Sequence, residues 1–227
     1  MSTTEHSEHS EYIDSETGKM GMWLFLFTEI FLFGGLFIVY SVMRAKYGED
    51  FHHGALELNA FIGATNTVVL LVSSMTAAMS LTAIQKNQPK VAIALIFSTL
   101  LLAGVFMINK YFEYGHKFDL HLYPGSEVMR NLPKGEIMFF GLYFLMTGLH
   151  LFHVVVGGVL LTIVMLRVKS GKINSEHFLL LENGALYWHL VDLIWIFLFP
   201  LLYLLPRKNS KILIISSSIF VAIRVAR

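Results

Sequence analysis

Ionisable side chains lie inside long apolar stretches of this sequence, at spacings that could build a shared site. His150 and His153 stand three positions apart, and so do His189 and Asp192. Residues at i and i+3 share a helix face, so each pair could offer two ligands to a metal ion or a haem. The alternative is hydrogen bonding between packed helices. Because no glutamate base accompanies the histidines as in H-E-x-x-H, the residues favour hydrogen bonding and predict no metal site in this chain.

Glu29 is a single carboxylate within the aromatic and aliphatic run 23–33. Ionising a carboxyl group inside lipid is costly, so an intramembrane acid indicates a function by default. An unpaired carboxyl group at this position should be largely protonated. The residues leave two roles open for it, namely a structural hydrogen bond or the handling of protons.

Helix geometry predicts that these groups occupy one half of a membrane. A helix rises about 1.5 Å per residue, and the apolar core of a bilayer is about 30 Å thick. Counted from the ends of the apolar stretches, the groups fall within about 14 Å of the side that bears the N-terminus. We therefore predict a polar network in that half, made of Glu29, His150, His153, His189, Asp192 and, at its mouth, Glu182.

The elements that position these residues are long apolar segments. Apolar residues form 55% of the 227-residue chain and charged residues only 15%, against about 25% charged in soluble domains. The stretches 58–84 and 137–166 contain no Asp, Glu, Lys or Arg. Such lengths, without the alternation of a barrel strand, indicate membrane-spanning helices. The sequence predicts an all-α polytopic membrane bundle of five transmembrane helices, at about 20–43, 58–84, 91–109, 137–166 and 183–205.

The connections and tails complete the predicted organisation. The turn at 85–90 is short, so the second and third spans should form an antiparallel hairpin. The segment 112–135 is predicted as the longest loop, with Gly115 among its turn residues. Residues 1–19 form an acidic polar tail, residues 20–206 the transmembrane domain, and residues 207–227 a basic and apolar tail too short to span.

The overall composition excludes several classes of function. A net charge of +1 provides no basic field for nucleic acid. Without cysteine there is no disulfide framework and no thiolate nucleophile or metal ligand. The acidic N-terminal segment lacks the basic start and apolar centre of a signal peptide, so we expect it to be retained.

Five sequence blocks occur in order along the chain: GMWLFLFTEIF at 21–31, NTVVLLVSSMT at 66–76, YFEY at 111–114, TGLHLFHVVVG at 147–157 and YWHLVDLIWIFLF at 187–199. Together they resemble subunit III of the haem–copper terminal oxidases, and the last two match its TGxHxxHVxxG and YWHxVDxxWxFLF elements. The resemblance covers about 20–205 and is to the short bacterial form, with five helices in place of seven. It places Glu29 at the family's buried glutamate and Glu113 in its tyrosine–glutamate segment, at the membrane interface.

The resemblance implies a non-redox subunit of a proton-pumping respiratory oxidase that reduces oxygen to water, with cytochrome c as the donor. Such a subunit packs on the catalytic subunit I, in a complex with subunit II, and supports proton uptake and stability during turnover. Haem and copper are expected in those partners and not in this chain, with phospholipid as a bound ligand. The implied location is the bacterial inner membrane with a cytoplasmic N-terminus, whereas the count of Lys and Arg on the two sides leans weakly the other way.

Two alternatives stay open. Within the family, the complex would be a quinol oxidase, or the chain an accessory subunit of a nitric oxide reductase. In a different class, the chain would be an independent transporter whose buried carboxylates and histidines relay protons. The sequence shows no internal repeat, which disfavours a transporter of the inverted-repeat type.

Overall fold

The computed structural model describes residues 2–204, with side chains from residue 16 onward. Within that range the chain is helical and contains no strand. Five helices are long and apolar enough to cross a membrane: α1 (Ser2–Lys46), α3 (Ala60–Gln85), α4 (Pro89–Asp119), α6 (Lys134–Lys169) and α7 (Leu179–Tyr203). The predicted all-α bundle of five spans is confirmed. The predicted tail at 207–227 lies outside the described residues.

Two short helices that were not predicted from the sequence lie at the end of the bundle opposite the N-terminus. They are α2 (Gly48–Leu56) and α5 (Glu127–Arg130). Gly54 of α2 packs against Phe139, and a Cβ at Gly54 would come within 2.5 Å of that ring. Asp50 accepts a hydrogen bond of 3.1 Å from the Gly135 N–H. A carboxylate at the positive end of a helix is favourable, so α2 stabilises the start of α6.

The predicted hairpin of the second and third spans is confirmed. Helix α3 ends at Gln85 and α4 begins at Pro89, where proline suits the first turn of a helix. The hydroxyls of Thr76 and Thr99 are 2.8 Å apart. Near the opposite end of the hairpin, the amide of Asn109 donates to Asn66 at 2.8 Å.

The prediction of a loop from residue 112 and of a turn at Gly115 is wrong, because α4 continues to Asp119. A single glycine costs a helix only about 1 kcal/mol. The extra turns carry Lys110, Glu113 and Lys117, which are all buried. Burying these side chains against neighbouring helices favours continuation, and Lys117 donates to the backbone carbonyl of Glu57.

Helix α7 lies at the centre of the bundle and α1 at its edge. In their apolar stretches, 56% of α7 residues are buried but only 11% of α1 residues. Trp188 and Trp195 are fully buried and donate to Ser73 at 3.0 Å and Thr67 at 3.1 Å, which joins α7 to α3. Glu29 is therefore carried by the helix with the least protein around it.

Candidate functional site

Glu29 on α1 meets His153 on α6 across the interface between these two helices. The Glu29 Oε2 and His153 Nε2 atoms are 2.8 Å apart, and the two side chains are 13% and 8% exposed. Phe33 and Phe152 lie against the imidazole, with ring centroids at 5.5 and 5.7 Å. Glu29 is therefore hydrogen-bonded, and its partner is a histidine of the predicted set.

The other ring nitrogen of His153 determines how this pair carries protons. Nδ1 lies 2.7 Å from the Leu149 carbonyl oxygen, which can only accept a hydrogen bond, so Nδ1 bears a proton. A pair without net charge then holds one proton between Nε2 and Oε2. Either the carboxyl group donates to a neutral imidazole, or an imidazolium donates to a carboxylate. A single proton can thus pass between Glu29 and His153 along one hydrogen bond.

Glu182 forms an ion pair with Lys19 near the start of α7. The Lys19 Nζ and Glu182 Oε2 atoms are 3.9 Å apart, and both side chains are partly exposed. Lys19 precedes Glu29 by ten residues, which is about 15 Å along a helix. The structure therefore separates Glu182 from the Glu29–His153 pair.

His189 and Asp192 of α7 lie beside Ser74 of α3. The His189 Nδ1 and Ser74 Oγ atoms are 2.5 Å apart. Ser74 is also a polar neighbour of Asp192, yet neither Asp192 oxygen makes a hydrogen bond of normal geometry within the described residues. Because Asp192 is only 2% exposed, packing alone does not account for an acidic side chain there.

His150 is fully buried, and neither ring nitrogen has a hydrogen-bond partner among the described side chains and backbone. Its imidazole contacts the aromatic rings of Phe106 on α4, at 5.6 Å, and Trp195 on α7, at 5.2 Å, and these two rings also contact each other at 4.9 Å. His150 thus faces α4 and α7, whereas His153 faces α1. The two histidines of the H-x-x-H spacing have different surroundings.

The predicted polar network is divided between several helix interfaces. Glu29 pairs with His153, and His189 and Asp192 share Ser74 as a neighbour, while His150 and Glu182 have separate surroundings. In the part of the chain that the structure describes, no three His, Asp or Glu side chains approach closely enough to hold a metal ion. The geometry therefore provides hydrogen bonds and proton-carrying groups.

A second polar cluster, centred on Lys110 and Glu113 of α4, is buried among three helices. The Lys110 Nζ and Glu113 Oε2 atoms are 3.1 Å apart, and the side chains are 1% and 5% exposed. Lys110 also donates to Tyr203 at 3.0 Å and to Tyr143 at 3.3 Å. Both tyrosines donate in turn to the other Glu113 oxygen. This ion pair joins α4 to α6 and α7.

The resemblance placed Glu113 at the membrane interface, and Lys110 was not among the predicted site residues. The structure encloses both side chains in protein. One available signal was their spacing, since opposite charges at i and i+3 of a helix can pair. Tyr143 of this cluster and His153 are ten positions apart on α6, so about 15 Å of helix separates the two polar sites.

Known proteins resemble this chain over most of its length. The family model for cytochrome c oxidase subunit III matches residues 1–206. A cytochrome c oxidase subunit 3 from Thermostichus vulcanus is 31% identical over 189 residues, which cover 83% of this chain and 87% of the relative. A quinol oxidase subunit 3 from Bacillus subtilis is 28% identical over 214 residues, covering 88% and 97%.

A third relative has a different organisation. It is a heme-copper oxidase subunit I+III from Aeropyrum pernix, 26% identical over 193 residues, which cover 82% of this chain but 22% of the relative. The resemblance found in the five sequence blocks is confirmed by the family match over 1–206. This chain belongs to the cytochrome c oxidase subunit III family and is a subunit III of the haem–copper oxidases.

Proposed function

We propose that this chain is a non-redox subunit of a proton-pumping respiratory oxidase that reduces oxygen to water in a bacterial inner membrane. It packs against the catalytic subunit I, in a complex that also contains subunit II. The relative named as subunit I+III supports this contact, because its name joins the two subunits in one polypeptide. Helix α1 also has a large apolar surface available to a partner, including Trp23, Phe27 and Phe31, which are 55%, 54% and 77% exposed.

The observation that carries the proposed role is the hydrogen bond between Glu29 and His153. The pair can hold and release a proton about 15 Å along α1 from the ion pair at Lys19. It lies at the edge of the bundle, where a partner subunit can approach. We infer that this pair supports proton uptake by the complex and its stability during turnover. With the N-terminus in the cytoplasm, the pair lies in the half of the membrane from which protons enter.

We assign haem and copper to the partner subunits and no cofactor to this chain. The separation of His150, His153 and His189 among different neighbours supports this assignment. The isolated chain is therefore expected to bind neither haem nor stoichiometric copper or zinc. Binding of any of these through the three histidines would contradict the assignment.

Cytochrome c is the proposed electron donor, and quinol is the alternative. Relatives are named after both donors, including the subunits from Thermostichus vulcanus and Bacillus subtilis. The donor site is proposed to lie on another subunit, so this chain alone does not determine the complex to which it belongs. An accessory role in a nitric oxide reductase is therefore a further alternative. The type of subunit II encoded beside this gene, either copper-binding or quinol-type, distinguishes these complexes.

Purification through an affinity tag on this chain tests the proposal. A subunit of an oxidase should bring haem-containing partners in stoichiometric amount, and the visible spectrum should be that of the catalytic subunit. A colourless protein that purifies alone and transports protons in vesicles would instead support the independent transporter.

A further inference from the structure

A cavity of about 310 Å³ opens where three helix ends meet, on the side of the bundle from which α1 starts. Helix α3 ends there at Gln85, α4 begins at Pro89 and α6 ends at Lys169. The cavity has an apolar floor, formed by Ile84, Ile93, Val168 and Ile173. Its volume lies in the range of about 300–1,000 Å³ that is usual for small-molecule sites.

The rim of this cavity is polar and positively charged. Lys90 and Lys169 line it, together with Asn87, Asn174 and Ser175. Within the described residues neither lysine has an acidic partner at ion-pair distance, whereas Lys19 pairs with Glu182 and Lys110 with Glu113. The rim therefore carries positive charge that the described part of the chain does not neutralise.

Two turns of fixed backbone conformation shape the rim. Asn87 follows α3 with a φ of 56° and Gly171 follows α6 with a φ of 72°. Both residues line the cavity, and only glycine and asparagine adopt this left-handed conformation readily. The cavity is thus bounded by turns with defined geometry.

We propose that this cavity binds the head group of an anionic phospholipid. The helix ends place its rim at the level of the lipid head groups, and basic pockets between transmembrane helices bind such groups. The lysines would contact the phosphate, and the apolar floor would contact the first part of an acyl chain. Lys169, in the last turn of α6, also stabilises the dipole of that helix. Lys90 lies in the first turn of α4, where a positive charge opposes the helix dipole, so this role accounts for neither Lys90 nor the apolar cavity beneath the two lysines.

Native mass spectrometry of the purified full chain in detergent tests the proposal. The delipidated protein is mixed with equal amounts of dioleoylphosphatidylglycerol and dioleoylphosphatidylcholine. We expect one phosphatidylglycerol molecule to be retained in preference. The K90Q/K169Q variant should bind it roughly 30-fold more weakly, at about 1 kcal/mol for each lysine near the membrane surface. The K46Q/K134Q variant removes two exposed lysines from the opposite side and should bind as the wild type does.

Three results would overturn the proposal. The first is equal retention of phosphatidylglycerol by the wild type and by a K90Q/K169Q variant that melts at the wild-type temperature. The second is displacement of the lipid by millimolar inorganic phosphate, which would indicate a site for free anions. The third is an equal loss of phosphatidylglycerol in the K46Q/K134Q variant, which would indicate that lipid binding follows the total charge of the protein and not this cavity.

Discussion

The carboxylate of Glu29 and the imidazole of His153 lie 2.8 Å apart and join α1 to α6 by a single hydrogen bond. Helix α1 is the least buried of the five spans, so this contact fastens a peripheral helix to the bundle. The same contact holds a transferable proton, because His153 Nδ1 donates to the Leu149 carbonyl and leaves Nε2 to Glu29. Fastening and proton transfer predict different outcomes when Glu29 is changed.

A hydrophobic carbodiimide tests where the proton of the Glu29–His153 pair resides, because such reagents attack protonated carboxyl groups in lipid and should modify Glu29 when its carboxyl group holds that proton. The carboxyl group is 13% exposed on a helix at the bundle edge, so the reagent can reach it. Peptide mass mapping of the treated chain should locate the adduct at Glu29, and Glu29→Gln should abolish it. Glu182→Gln, which removes a carboxylate near the membrane edge, should leave the adduct unchanged. Modification of Asp192 with none at Glu29 would contradict a transfer of the shared proton to the Glu29 carboxyl group.

The buried Lys110–Glu113 pair should be essential to the stability of the bundle. Lys110→Met leaves Glu113 without its counter-charge, and Glu113→Gln does the same to Lys110. Each single variant should therefore lose about 3–5 kcal/mol of unfolding free energy. The double variant should lose less than the sum of the two single losses, because neither charge is then left buried without its partner. Thermal unfolding in detergent, followed by circular dichroism, measures these losses. Additive losses would show that the two charges do not stabilise one another.

Lys19→Met is the matched control for that experiment. It breaks the partly exposed pair with Glu182, and exposed ion pairs contribute only about 0–1 kcal/mol. Its unfolding temperature should therefore stay close to that of the wild type.

Two adjacent glycines of α6 should respond in opposite ways to alanine. A Cβ at Gly157 would lie 2.9 Å from the ring of Trp188 and 3.0 Å from that of Tyr187, whereas a Cβ at Gly158 meets nothing within 4 Å. Gly157→Ala should lower the unfolding temperature, since overpacking costs about 1–3 kcal/mol. Gly158→Ala should leave it unchanged or raise it, because alanine is the better helix former by about 1 kcal/mol. Equal effects would contradict the close α6–α7 packing.

Local patterns in the sequence were sufficient to predict the helices but not their contacts. The uncharged stretch 137–166 and the short turn before Pro89 specify a span and a hairpin by length alone. The partner of Glu29 is 124 positions away, and no periodicity indicates which helices become neighbours. His150 and His153 show the same limit, because one spacing led to two different environments. Lys110 follows the predicted span, and its burial depends on tyrosines of α6 and α7.

The proposed topology can be tested with single cysteines, since the chain has none of its own. Cysteine at Ser10 should be labelled by an impermeant maleimide only after spheroplasts are lysed, because the N-terminus is proposed to be cytoplasmic. Cysteine at Asn209 should be labelled in intact spheroplasts. Labelling of Ser10→Cys from outside would show that the chain has the opposite orientation, with Glu29 in the other half of the membrane.

Proton pumping by the assembled complex that carries Glu29→Gln tests the proposed role most directly. Glutamine can donate a hydrogen bond to His153 Nε2, so α1 should stay fastened and the complex should assemble with an unchanged visible spectrum. Glutamine cannot release a proton, however, so we expect fewer protons pumped per electron, or a shorter active lifetime during sustained turnover, than in the wild type and in the Glu182→Gln control. Wild-type pumping and a wild-type lifetime in the Glu29→Gln complex would contradict the account and leave Glu29 with a packing role alone.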